Sequence, residues 1–494
     1  MTITPLLDSA PKILVAMFLT SAPLLPLQAA DRFLPIASAF PPPGASEVCP
    51  DAPLRLTFDQ AAQLGTTGRI EVRDAADRSL ADAIDIAAPI DTQTIGGLDN
   101  YRFHRVLLAG RQASIILRNG ALRYGHTYYV TVTPSAFADT DGIENPTAWR
   151  FTTKAAAPAA NAPRLVVAAN GSGDFCTVQA ALDFLPAGNI RPVTIFIRRG
   201  TYNEIVSFTE KHSITILGED RKETVIAYAN NDRFNNASNG NPFGGTSPSP
   251  VASSPRTGAI YRRGMFLAHR VNDFTVANLT LRNTTPQGGS QAEAIILNGT
   301  TTARAILKDV DLFSFQDTLQ INGQAYLYNC YLEGDVDFMW GTGPCFFENC
   351  TARSLRNNAY YTQIRNPPAN HGYVFLACAF QGAPGITGNF LSRIQPSRFP
   401  ASEVVLLDCR LTEAVSPVGW QLQSGTNGIG DISLLHFWEA GSRDAAGQAI
   451  DASKRMTGSR QLSGAADASL IADYRNPAFV LGNGWNPREA AVFR

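Results

Sequence analysis

The chain has 494 residues, 45% hydrophobic and 17% charged, with a formal net charge of −1. That length provides for two or three domains and a large core. Near-neutral charge, with a pI near 6.6, excludes an electrostatic case for nucleic acid or an anionic membrane as partner.

Residues 1–30 read as a secretory signal. Lys12 precedes the apolar stretch "ILVAMFLTSAPLLPL", and "QAAD" offers small residues for cleavage near Ala29 or Ala30. Pro23 and Pro26 break the run, which falls short of the roughly 20 apolar residues of a spanning helix. The expectation is a secreted or periplasmic protein that does not sit in a membrane. Residues 45–155 carry short alternating runs, "LRLTFD", "RIEVRD", "ASIILRN" and "TYYVTVTP", separated by turn residues, the pattern of a small β-sandwich. With "TYYVTVTPSAFADTDG" and "WRFTT", this segment resembles the bacterial immunoglobulin-like domains of secreted proteins, and reads as a spacer or stability module. An Ala/Pro linker follows at 156–163.

From Arg164 the pattern changes. "TVQAALDFLP" sets Val178, Ala181, Leu182 and Leu185 on one helical face, suited to capping a stack. Short β runs then recur. Aligned, they place Asn278, Asp309, Asn329, Asn349, Ala377 and Asp408 at one equivalent position, with spacings of 31, 20, 20, 28 and 31 residues. An irregular β-rich repeat of this length argues for a parallel β-solenoid over 164–494. The residue after the marker is Cys330, Cys350, Cys378 or Cys409 in four of the coils. Either a ladder of buried thiols or a disulfide fits, since neighbouring coils lie ~4.8 Å apart; Cys330–Cys350 is the expected pair.

Asp317 lies eight residues after Asp309, and Asp337 eight after Asn329, so the two acids fall at one position of consecutive coils. Stacking brings them to ~5 Å, where like charges interact by about 3 kcal/mol at an effective dielectric of about 20. That separates their ionisation and suits one acid and one nucleophile. Gln316 beside Asp317, and Gln291 one coil earlier, can donate to a developing oxyanion, which favours ester over glycoside chemistry. Asp335 reads as a solvated turn residue. No G-x-S-x-G elbow is present, and the six histidines are scattered.

"GTYNE", "QAEA", "QDTL" and "DFMWG", in that order, resemble the signature blocks of the pectin methylesterases; "ANGSGDFCTVQAALDFLP" and "FVLGNGW" resemble their first and last blocks. The resemblance spans about 164–494. It implies a right-handed single-stranded parallel β-helix, all-β and preceded by the sandwich, acting as a monomer on methyl-esterified pectin without metal or other cofactor. It implies Asp337 as nucleophile, Asp317 as acid and base, Gln291 and Gln316 as oxyanion hole, and Arg393 as the arginine holding the nucleophile ionised. Phe338 and Trp340 are expected to line the sugar groove. The chain reads Leu391-Ser392-Arg393-Ile394-Gln395 where the family reads Leu-Gly-Arg-Pro-Trp, so Arg365 and Arg398 stand as other candidates for that arginine. Two further readings are a carbohydrate-binding β-helix without catalysis and a calcium-dependent pectate lyase.

Overall fold

A computed structural model describes residues 36–235, 262–300 and 302–493; the expected signal at 1–30 lies outside them. Among the described residues no helix is long and apolar enough to cross a membrane.

The N-terminal part consists of two sheets and a hairpin. Ile36–Phe40, Leu54–Phe58, Gln112–Ile115 and Val106–Ala109 form one sheet; Ala45–Val48, Arg150–Thr153, Thr127–Val132, Arg69–Asp74 and Leu80–Asp85 form the other. Alternation buries Leu54, Leu56 and Phe58 against Ile70, Val72, Val130 and Trp149 between the sheets. The hairpin of Ile90–Ile95 and Leu98–His104 forms a two-stranded sheet of its own among the described residues. It leaves the sandwich and places Ile95 and Tyr101 in the core of the following part.

That following part is a parallel β-helix. A 17-stranded sheet runs from Arg164–Val167 to Arg460–Gln461, and an 8-stranded sheet from Val206–Thr209 to Trp420–Leu422. Every pairing recorded in these two sheets is parallel (for example Leu279 with Val310, Tyr331 with Thr351). The six marker residues found by alignment all adopt left-handed backbone, φ 52 to 57°, where each coil turns a corner within the larger sheet. Asn and Asp tolerate that region best after glycine, which is why they recur there. Helix α1 (Val178–Phe184) is capped by Thr177, whose side chain accepts from the Ala180 amide. Val178, Ala181 and Leu182 are buried against the first coil. Helices α2 (Ala468–Tyr474) and α3 (Pro477–Leu481) cover the outer face of the larger sheet, where Tyr474, Val480 and Leu481 meet Tyr326, Phe346 and Val405.

The cysteine expectation is corrected. All seven cysteines are free and buried. Cys330 and Cys350 sit one above the other, but each sulfur turns to a backbone carbonyl of the preceding coil: Cys330 to Leu307 and Cys350 to Leu327, both at 3.4 Å. In-register parallel coils aim the side chains the same way, not toward each other as a disulfide requires. The ladder is one of thiols.

Candidate active site

The smaller sheet stacks the candidate residues. Gln316 bridges to Val336, and Leu319 pairs with Met339, so Asp317 and Asp337 occupy the same level of adjacent coils. Both have left-handed backbone, φ 66° and 48°, which turns the chain sharply just before each strand. Arg393 lies on Phe390–Ile394, two coils beyond Met339–Gly341. Its Nε and Nη2 reach back to the two oxygens of Asp337 at 2.8 and 2.5 Å, a bidentate pair. The guanidinium lies 4.2 Å from the centroid of the Tyr360 ring.

Arg365 and Arg398 do not take this place. Arg365 hydrogen-bonds Gln363 and lies over the Trp340 ring at 4.9 Å; Arg398 lies over Phe399. Gln291 directs its amide oxygen to the Ser290 hydroxyl at 2.9 Å, which turns its N–H groups the opposite way. The Gln316 carbonyl accepts from the Ala292 amide at 3.1 Å, tying the coils of the two glutamines together.

Two groups that sequence reasoning missed join them. Arg263, just ahead of Phe266–His269, donates to Asp317 Oδ2 at 3.1 Å. It also grips Glu293, with Nη2 at 2.6 Å from Oε1. Glu293 stands within the quoted "QAEA"; a carboxylate two residues beyond Gln291 in an apolar run was the available signal. Three carboxyl groups therefore face the guanidiniums of Arg263, Arg365 and Arg393.

Asp317 holds its proton well above the usual carboxylate range. Burial is the main cause; Arg263 opposes it, Glu293 and Asp337 add to it, and Arg365 opposes it. Burial raises Asp337 as well, against the Arg393 hydrogen bonds and charge. The arginine therefore does not bring Asp337 below the ordinary value, as the sequence suggested. It offsets part of the burial cost and leaves Asp337 the more readily ionised of the two.

Three expectations change. Phe338 is fully buried in the β-helix core, 5.4 Å from the Tyr361 ring centroid, and does not reach a groove. Trp340 points to the other face of the strand but is 3% exposed, covered by the guanidiniums of Arg263 and Arg365. Asp335 is buried, not solvated, and accepts from Gln287 at 3.0 Å. The aromatic rings that remain partly open beside Arg393 are Tyr360 and Phe390, stacked at 5.8 Å. Among the described residues, the group of His, Cys, Asp or Glu side chains spaced to share a metal ion is Cys49, Asp51 and Cys176, where the sandwich meets α1. The carboxylates of the site are engaged by guanidiniums instead.

The chain thus carries a parallel β-helix with a buried, arginine-held carboxylate pair at one position of adjacent coils. The pectinesterase family profile matches residues 164–242 and 251–472, more than half of the chain, and a bacterial Ig-like domain profile matches 32–153. The chain belongs to the pectinesterase family. It is 30% identical to pectinesterase 31 of Arabidopsis thaliana over 257 residues, 51% of this chain and 75% of that protein. It is 25% identical to pectinesterase 1 of Citrus sinensis over 334 residues, 65% of this chain and 52% of that protein, so it spans about half the length of that relative. The solved structure of pectin methylesterase from carrot shares the fold, with a TM-score of 0.52 and 22% identity over 66% of this chain and 95% of that one.

Proposed function

We propose that the chain hydrolyses the methyl esters of galacturonate units in pectin, giving pectate and methanol. The observation that carries this reading is the bidentate Asp337–Arg393 pair one coil from a buried, proton-holding Asp317. Asp337 attacks the ester carbonyl as carboxylate, and negative charge develops on the carbonyl oxygen. The amides of Gln291 and Gln316 donate to that oxygen; such donors typically contribute about 10²–10³ in turnover. Asp317 passes its proton to the departing methoxide, which leaves as methanol, and an acyl anhydride joins substrate and Asp337. Asp317, now ionised, takes a proton from water as its hydroxide attacks the acyl carbon. The anhydride breaks, Asp337 leaves as carboxylate, and both acids return to their starting states.

Tyr360 and Phe390 supply the aromatic face for a pyranose ring that Phe338 and Trp340 do not. A polymeric substrate must be met outside the cell, which agrees with export through the segment at 1–30.

The test is methanol release from methyl-esterified pectin, with and without a chelator, by wild type and Asp337→Asn. Wild-type release that is insensitive to chelator and lost by at least about 10³-fold in Asp337→Asn supports the reading. Full activity in Asp337→Asn would overturn the mechanism; chelator-sensitive production of unsaturated chain ends would replace it by a lyase; pectin binding without turnover would leave a carbohydrate-binding protein.

A further inference from the structure

Arg263 and Glu293 are buried charges without a step in that chemistry. Glu293 is 0% exposed and Arg263 7%. They precede the strands Phe266–His269 and Ile295–Asn298, two coils and one coil before Asp317. Arg263 Nε lies 2.9 and 3.1 Å from the two Glu293 oxygens; its Nη2 is shared between Glu293 and Asp317 Oδ2. A buried ion pair is weak evidence for stability, because desolvation consumes most of the attraction. Its presence against a candidate catalytic acid therefore asks for another explanation.

We propose that Arg263 and Glu293 are positioning residues for Asp317: Arg263 fixes one carboxyl oxygen so that the other carries the transferable proton, and Glu293 cancels the arginine charge so that the proton stays. The proposal rests on the assignment of Asp317 as acid and base. A lone guanidinium in contact with Asp317 would orient it but favour its ionised form, leaving no acid for departing methoxide. With no donor at all, the carboxyl would be free to rotate and productive alignment would be lost. An arginine already neutralised by a second carboxylate supplies the hydrogen bond with little net charge.

The charged groups around Asp317 fit this division. Arg263 and Glu293 face it from the preceding coils, Asp337 from the next coil, and Arg365 from the end of Tyr360–Ile364. Asp337 is itself matched by Arg393, and Asp232 lies 3.8 Å from Arg263 on its other side. Glu293, at 2.6 Å, is thus the nearer of the two carboxylates that keep Arg263 from acting as a bare cation. The backbone under Arg263 is also fixed: Arg262 Nη1 donates to the carbonyls of Asp99 and Asn100 at 2.8 and 3.2 Å.

The experiment compares full-chain wild type, Glu293→Gln and the double variant Arg263→Met/Glu293→Met. It records kcat/KM on methyl-esterified pectin against pH, with thermal midpoints as a check on folding. Glu293→Gln removes the nearer carboxylate and leaves Arg263 only the longer contact to Asp232, so Asp317 releases its proton sooner and the alkaline limb moves down by about one pH unit. The double variant removes both charges. Its alkaline limb stays at the wild-type position or moves up, while kcat falls about tenfold through lost orientation. An unshifted limb in folded Glu293→Gln, or a downward shift in the double variant, overturns the proposal. Should Glu293→Gln not fold, the double variant decides alone. A readout independent of turnover separates this from failure of the hydrolase reading: the infrared carboxylic-acid band lost in Asp317→Asn is expected to titrate at lower pH in Glu293→Gln. If that band titrates as in wild type, the positioning role fails whatever the enzyme hydrolyses.

Discussion

Asp337 lies between two opposed influences, burial that favours its neutral form and a bidentate guanidinium that favours its charge. Arg393→Met leaves burial opposed only by the charge of Arg365 and raises the carboxyl further. Because the nucleophile must be ionised, activity is then lost at higher pH as the solution is acidified. The acidic limb of kcat/KM is expected to move up by at least about one unit, with kcat at neutral pH down roughly 100-fold. Arg393→Lys keeps the charge without the fork and should fall between; an unmoved limb in Arg393→Met would count against this role. The pairing of Asp317 with Asp337 was legible because it depends only on counting residues from a repeated marker. The fate of Phe338 was not. Phe338 lies in the turn between left-handed Asp337 and the strand Met339–Gly341, so it does not share the strand's alternation; it packs inward onto Tyr361, while Trp340 lies outward under two guanidiniums. Arg263 was hidden for a different reason: it joins Asp317 across two coils and 54 residues, and the marker series began only at Asn278.

At the scale of the element, each coil corner demands a left-handed residue, and five of the six markers are Asn or Asp. Ala377, with φ 53°, is the exception. Its Cβ meets the following carbonyl, a penalty of about 1 kcal/mol or more that the short polar side chain of Asn offsets by hydrogen-bonding locally. Ala377 is exposed and lies between the coils of Asn349 and Asp408, so the larger side chain has room. Ala377→Asn is therefore expected to stabilise the chain by about 1 kcal/mol, read as a higher denaturant midpoint at unchanged slope; an unchanged or lower midpoint would show that the corner carries no such strain. The corners were visible in the sequence since their chemistry is local. Helices α2 and α3 were not recognised, because what calls for them is an apolar outer face on the larger sheet, with Tyr326, Phe346 and Val405 in register. A strand apolar on both faces reads the same whether helices or other strands cover it.

For the whole molecule, the sandwich is part of one body with the β-helix, which a sequence read as a spacer followed by a linker did not suggest. Across the junction Arg55 donates to the Ala169 carbonyl at 2.9 Å. Asp51 accepts from the Cys176 and Thr177 amides at the start of α1. The Ile90–His104 hairpin makes the longest reach. The Asn235 side chain pairs with both backbone groups of Arg102, the Tyr228 hydroxyl accepts from the His104 amide, and Arg262 holds the hairpin carbonyls. Gly96 permits the approach: its φ is 59°, and a Cβ there would lie 1.9 Å from the Ser207 carbonyl oxygen. Gly96→Val must therefore lift the hairpin or shift the Val206–Thr209 strand. Because Arg262 adjoins Arg263, the disturbance reaches the carboxyl pair through the backbone. The expected result is a thermal midpoint lower by roughly 5 °C, faster proteolysis within 90–104, and a kcat reduced several-fold with KM nearly unchanged. Val is disfavoured in left-handed backbone wherever it stands, so Leu98→Ala supplies the comparison. Leu98, partly buried against the β-helix core, loses packing without backbone strain and should lower kcat in proportion to the loss of docking. If both variants are destabilised while kcat stays at the wild-type value, the sandwich stabilises the fold without organising the site.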